Sequence, residues 1–118
     1  MERLALPVHI ETGTALSDEV NVGKGRIVGI QMPAGWDAAN ITAQALTRQA
    51  GSVPTFGGVV DQAGNELVVV TAPAADEYVA IPDTVALVGL GRVKLRSGTA
   101  AIPVNQTADR DFFLVVLV

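Results

Sequence analysis

Short runs rich in Val, Ile, Leu and Thr alternate along this chain with Gly, Pro, Asn and Asp, and the breaks fall about every eight to twelve residues. That rhythm belongs to sandwiches and barrels. It predicts about eight short strands: Leu4 to Glu11, Arg26 to Met32, Ile41 to Leu46, Val53 to Val60, Glu66 to Ala72, Glu77 to Ile81, Leu90 to Ser97 and Arg110 to Val118. In RVKLR, Arg92, Lys94 and Arg96 share one strand face and Val93 and Leu95 the other, the alternation of a half-buried strand. The clearest hairpin is DQAGN, Asp61 to Asn65, because Gly64 and Asn65 tolerate a positive φ. No long-period repeat, linker or low-complexity tract interrupts the pattern, so residues 1–118 are read as one β-sandwich domain, with residues 1–25 as an extended N-terminal arm plus the first strand.

Two segments break the alternation. In WDAANITAQALTRQAG, Trp36 to Gly51, Asp37 is suited to cap a helix, Ala, Gln, Leu and Arg favour one, and Gly51 is suited to end it. The competing strand has Ile41, Ala43 and Ala45 on one face and Thr42, Gln44 and Leu46 on the other, and propensity alone leans to the helix. The second segment, FFLVVLV at Phe112 to Val118, is apolar at both parities, so a strand there needs cover on both faces. Phe112, Phe113, Leu114 and Val116 are therefore candidates for a contact with another subunit or a partner protein, the alternative being a strand roofed by loops of its own chain.

Composition narrows the function. Hydrophobic residues make up 49% of the 118 positions, and mean hydropathy is +0.39. No stretch approaches the roughly 20 apolar residues of a membrane-spanning helix, so excess apolar surface is expected to be covered by another protein or another copy. A net charge of −4 disfavours nucleic acid, whose phosphates call for a surplus of Lys and Arg. The absence of cysteine removes disulfides, thiolate catalysis and Cys-ligated zinc. MERLALPVHIETG is broken by Glu2, Arg3, Pro7 and His9, unlike the apolar core of a secretory signal, so synthesis and retention in a cytoplasm are expected.

Candidate chemistry is sparse. His9 has no second histidine or cysteine to join, and Ser17, Ser52 and Ser97 stand in no nucleophile elbow. Asp61, Asn65 and Glu66 lack the spacing of a calcium loop, and the glycines of VGLGR lead into a strand where a phosphate loop needs a helix. No enzyme activity, cofactor or metal is expected. The Arg92, Lys94 and Arg96 stripe reads either as a solvated face that discourages strand-to-strand aggregation or as a contact with an acidic protein surface or anionic glycan. Trp36 and Tyr78 are the residues suited to stack on a sugar, and Trp36 reads more simply as a plug at one end of a sandwich.

GIQMPAGWDAANIT, Gly29 to Thr42, with YVAIP at Tyr78 to Pro82 and RVKLRSGTAAIPVNQTADR at Arg92 to Arg110, resembles small proteins of tailed bacteriophages. Their shared pattern runs G-I-x-M-P-A-x-W-x-A-A-x-I-T, a D-x-x-G-x-E hairpin matched here by Asp61, Gly64 and Glu66, and a closing R-L-R-S-G-T with P-V-N-Q, matched by Leu95 to Thr99 and Pro103 to Gln106. The likeness covers most of the chain from Arg26 onward. It departs at RQAGS, Arg48 to Ser52, where such relatives often carry Asp-Gly-Gly, and the aromatic residue expected near the following strand corresponds to Phe56 without fixing the register. The resemblance implies a jelly-roll or galactose-binding-like sandwich and tips Asp37 to Gly51 towards a short turn and a strand. It also implies a virion structural protein: a capsid decoration (cement) protein on the outer head surface, a symmetric oligomer with a trimer favoured, with itself and the major capsid protein as partners. The alternative from the same source is a glycan-binding module of a tail fibre or spike.

Overall fold

The computed structural model describes residues 2–51, 53–82, 85 and 87–118. Among them nine strands form: β1 Arg3–Ile10, β2 Val20–Gly23, β3 Arg26–Gln31, β4 Ile41–Ala50, β5 Val53–Gly58, β6 Val68–Val70, β7 Tyr78–Ala80, β8 Gly91–Ser97 and β9 Arg110–Leu117. They make two antiparallel sheets. Sheet A has the order β1-β9-β3-β7, and sheet B the order β2-β8-β4-β5 with β6 pairing to β4. Side by side, these orders set β1 with β2, β9 with β8 and β3 with β4, so the chain passes repeatedly from one sheet to the other. That connectivity is a jelly roll, with β6 as an insertion.

The core lies between the sheets. From sheet A it takes Val8 and Ile10 of β1, Ile27 and Ile30 of β3, and Phe112, Leu114 and Val116 of β9. Val20 and Val22 of β2, Ile41 and Ala43 of β4, and Val93 and Leu95 of β8 meet them from sheet B. The alternation in RVKLR thus has its expected consequence, with Val93 and Leu95 buried while the basic residues point out.

Within residues 36–51 the chain forms the strand β4, Ile41–Ala50, and no helix. β4 is flanked by β8 along Ile41 to Ala45 and by β5 from Gln44 to Ala50, and this pairing outweighs the helix propensity of its Ala, Gln and Arg. Asp37 caps nothing, because its carboxylate is occupied at Thr107 and Arg110. Residues 1–25 are also more structured than an arm with one strand. Ala15 and Ser17 are buried on the way to β2, whose VNVG is too short to show its alternation in sequence. The strand expected over Glu66 to Ala72 is reduced to Val68–Val70, with Glu66 in an isolated bridge to Val60. The DQAGN turn forms as expected, closed by Asp61 N–H donating to the Asn65 carbonyl at 2.8 Å, with Gly64 at φ 87°.

Backbone polarity of β1 fixes what its open edge offers. Glu2 and Val118 exchange both N–H···O bonds at 2.8 Å, so even-numbered residues of β1 bond to β9 and odd-numbered ones turn to the edge. Pro7 occupies one of those outward positions, where its missing N–H breaks no ladder and leaves an incoming strand without a donor.

Candidate assembly surface

The two outer faces of the sandwich differ in chemistry. On sheet B the basic stripe is satisfied within the chain. Arg92 pairs with Glu19 at 3.0 Å, Lys94 lies 4.6 Å from the centre of the Phe56 ring, and Arg96 pairs with Glu66 at 3.1 Å. Glu66 also accepts the Ala100 N–H at 3.0 Å. Arg92, Lys94 and Arg96 therefore resemble a neutralised solvated face more than an open row of cations.

Sheet A presents the opposite. Cross-strand register places Arg3 beside Leu117, Ala5 beside Val115, Pro7 beside Phe113 and His9 beside Asp111. It continues Val115 to Gly29 and Ala80, and Phe113 to Gln31 and Tyr78. The middle of this face is apolar or small except for Gln31, with Phe113 41% and Tyr78 47% exposed. Such a contiguous apolar sheet face is the usual mark of an interaction surface.

Of the C-terminal residues singled out as a contact, Phe112, Leu114 and Val116 are excluded by burial in this chain's own core. Only Phe113 faces outward and remains available. Val115 points the same way yet is 5% exposed. Its cover comes from a strap: Arg3 Nη2 donates to the Tyr78 hydroxyl at 3.1 Å, and because Arg3 and Tyr78 stand on the two edge strands, their link crosses over β9 and β3. Gly29 makes room beneath, since a Cβ there would collide with the Tyr78 hydroxyl. The doubly apolar segment is thus partly roofed by side chains from its own sheet.

Trp36 and Tyr78 do not make one platform. The Trp36 ring meets Phe112 edge to face, with centroids 5.9 Å apart, on the core side of sheet A, and its Nε1–H donates to the Ala39 carbonyl at 3.3 Å. It plugs the end of the sandwich. Tyr78 lies on the outer side with Phe113.

Near Trp36, a polar cluster joins distant segments. Gln106 is 0% exposed and fully occupied: Nε2 donates to Ser97 Oγ at 2.7 Å, and Oε1 accepts from Asp37 N–H at 2.9 Å and Arg110 Nε at 3.0 Å. Asp37 accepts the Thr107 N–H at 2.6 Å. GWD and NQTADR, which help carry the bacteriophage resemblance, are therefore one structural unit. Nothing in the sequence marked Gln106 as central, because a polar residue in a Pro-bounded loop normally reads as exposed.

His9 Nδ1 and Asp111 Oδ1 are 2.8 Å apart, and this hydrogen bond raises the His9 pKa, helped by the charges of Asp111, Asp109 and Asp18. Asp109 is lowered because the Thr12 backbone N–H and hydroxyl both donate to it. No nucleophile adjoins His9 in these contacts. Among the described residues, no three His, Asp or Glu side chains come together as a metal site requires, and no helix is long and apolar enough to cross a membrane. A cavity of about 390 Å³ opens between Val59, Leu67, Leu87 and Leu90, with Asp61 also in its lining. Asp61 Oδ1 is already taken by the N–H groups of Ala63 and Asn65.

No family model, curated protein or solved structure matches the chain.

Proposed function

We propose that the protein is a non-enzymatic structural component of a bacteriophage virion, a capsid decoration protein that binds the outer head surface as a symmetric oligomer and stabilises the shell. The observation that carries the assembly part is the apolar outer face of sheet A, set against an opposite face on which Arg92 and Arg96 are paired with Glu19 and Glu66 of the same chain. The viral part rests on the resemblance of Gly29 to Thr42 and Arg92 to Arg110, and a jelly roll suits it, since that architecture recurs in viral capsid and lectin domains. Its partners in this reading are further copies of itself and the major capsid protein. A protein bound across neighbouring capsid subunits favours the assembled state simply by binding it and not the dissociated one. Mass spectrometry of purified phage particles tests the proposal: the chain is expected in near-stoichiometric proportion to the capsid protein, and its absence from particles removes the reading.

A second reading, a glycan-binding module of a tail fibre or spike, has one observation in its favour, the exposed Tyr78 ring in the same row as Gln31 and Phe113. It calls for saturable sugar binding that Tyr78→Ala abolishes with the fold intact. A glycan array without hits counts against it.

A further inference from the structure

We infer that the Arg3–Tyr78 strap is a gate over Val115: closed, it keeps this outward valine dry in the isolated chain, and it opens by movement of the two side chains while both sheets stay intact. The inference goes beyond the proposed function, because it concerns the chain by itself.

Three observations carry it. First, the floor under the strap is defined by register. Val115 points outward between Leu114 and Val116 of the core, yet it is 5% exposed. Its neighbours in the same row are Ala5, Gly29 and Ala80, none with a side chain longer than a methyl group, so the row leaves the valine open. Cover has to come from the rows on either side. Arg3 stands in one of them, beside Leu117, and Tyr78 in the other, beside Gln31. Leaning inward from the two edge strands, they meet with Arg3 Nη2 3.1 Å from the Tyr78 hydroxyl and the guanidinium carbon 5.7 Å from the ring centre.

Second, the sheet is shaped to receive the ring. A Cβ on Gly29 would overlap the Tyr78 hydroxyl and the carbon that bears it, so the tip of the ring lies in the notch that the glycine leaves. Gly29 is not among the glycines with positive φ. What calls for glycine here is the ring above it, not the backbone.

Third, the link is of a kind that opens. Arg3 is exposed and Tyr78 is 47% exposed, and neither belongs to the core. The guanidinium is held by a neutral hydroxyl and a ring face. One hydrogen bond and one cation–π contact at the surface favour the closed state by roughly 10- to 30-fold, which leaves the open state populated at a few per cent. Opening adds Val115 to the apolar surface already presented by Phe113.

The chain has no cysteine, so a single introduced thiol reports on the floor. Alkylation of Val115→Cys by iodoacetamide is compared with that of Phe113→Cys, the next outward residue of β9, on the purified full-length chain. With the strap in place, Val115→Cys should react about tenfold more slowly than Phe113→Cys. Adding Arg3→Ala or Gly29→Ala to Val115→Cys should bring its rate within about threefold of Phe113→Cys, with circular dichroism checking the fold. Gly29→Ala is the sharper variant, since it lifts the ring and leaves both gate residues present. Should it not fold, Tyr78→Phe, which removes only the hydroxyl, should speed the reaction about threefold or more. The inference is overturned by a Val115→Cys that reacts as fast as Phe113→Cys with the strap intact, or by rates that these variants leave unchanged. A rate that rises with urea as steeply as global unfolding does also overturns it, because exposure then needs the sheets to come apart. Labelling reads the isolated chain, so each result stands whether or not the chain is found in phage particles.

Discussion

Asp37 and Gln106, 69 residues apart, hold each other by two hydrogen bonds: the Asp37 N–H donates to Gln106 Oε1 at 2.9 Å, and Gln106 Nε2 donates back to the Asp37 carbonyl at 3.3 Å. The same amide holds Ser97 at the end of β8 and Arg110 at the start of β9, so one side chain locks the closing end of both sheets.

Gln106→Leu should therefore be costly although it is apolar and of similar size. It leaves the Asp37 N–H and Ser97 hydroxyl without their partner, each a desolvation penalty of about 1–3 kcal/mol. Urea unfolding is expected to show a loss of roughly 2–4 kcal/mol with an unchanged m-value. A loss below about 0.5 kcal/mol would mean that the cluster is incidental.

Trp36 serves as a plug, and its substitution should act on stability. Trp36→Ala removes the edge-to-face contact with Phe112 and part of the core wall, at an expected cost of about 2–4 kcal/mol in denaturant unfolding. Trp36→Phe should recover more than half of that loss. Equal stability of Trp36→Ala and the unmodified chain would place the ring outside the core.

Ala72 has φ 43°, a left-handed conformation that its Cβ disfavours, and its N–H is held by Asn40 Oδ1 at 2.8 Å. Ala72→Gly relieves the strain at an exposed position. Thermal unfolding should show a gain of about 0.5–1 kcal/mol.

The His9–Asp111 bond gives a pH dependence of definite sign. A raised pKa in the folded chain means that the contribution of His9 to stability is complete below its unfolded value of 6.5 and is lost as pH rises through the folded value. An NMR titration of the His9 ring should give a pKa above 6.5 that falls back towards it in Asp111→Asn. Asp109 acts with the opposite sense, its contribution disappearing as pH falls through its lowered pKa.

Legibility in the sequence followed the range of the forces involved. The strict alternation of RVKLR exposed β8 directly, and the turn chemistry of DQAGN exposed its hairpin, because both depend on neighbours in the chain. β2 was hidden: VNVG is an element only because β8 pairs with it, in an irregular register. The FFLVVLV segment announced that both faces of β9 needed cover without saying by what. The inner cover is the core, and the outer cover includes Tyr78 and Arg3 from the two edges, a relationship that exists only once cross-strand register is set. The same register turns Ala5, Pro7 and Phe113, unremarkable in sequence, into one apolar face.

Under the proposed virion role the central question is whether that face is covered in an assembled particle, and a cryo-EM map of purified phage particles answers it most directly. The expected map shows this jelly roll on the outer head surface with the Ala5, Phe113 and Val115 rows of sheet A buried against protein. A map with the chain present but Phe113 and its neighbours turned to solvent would contradict the account.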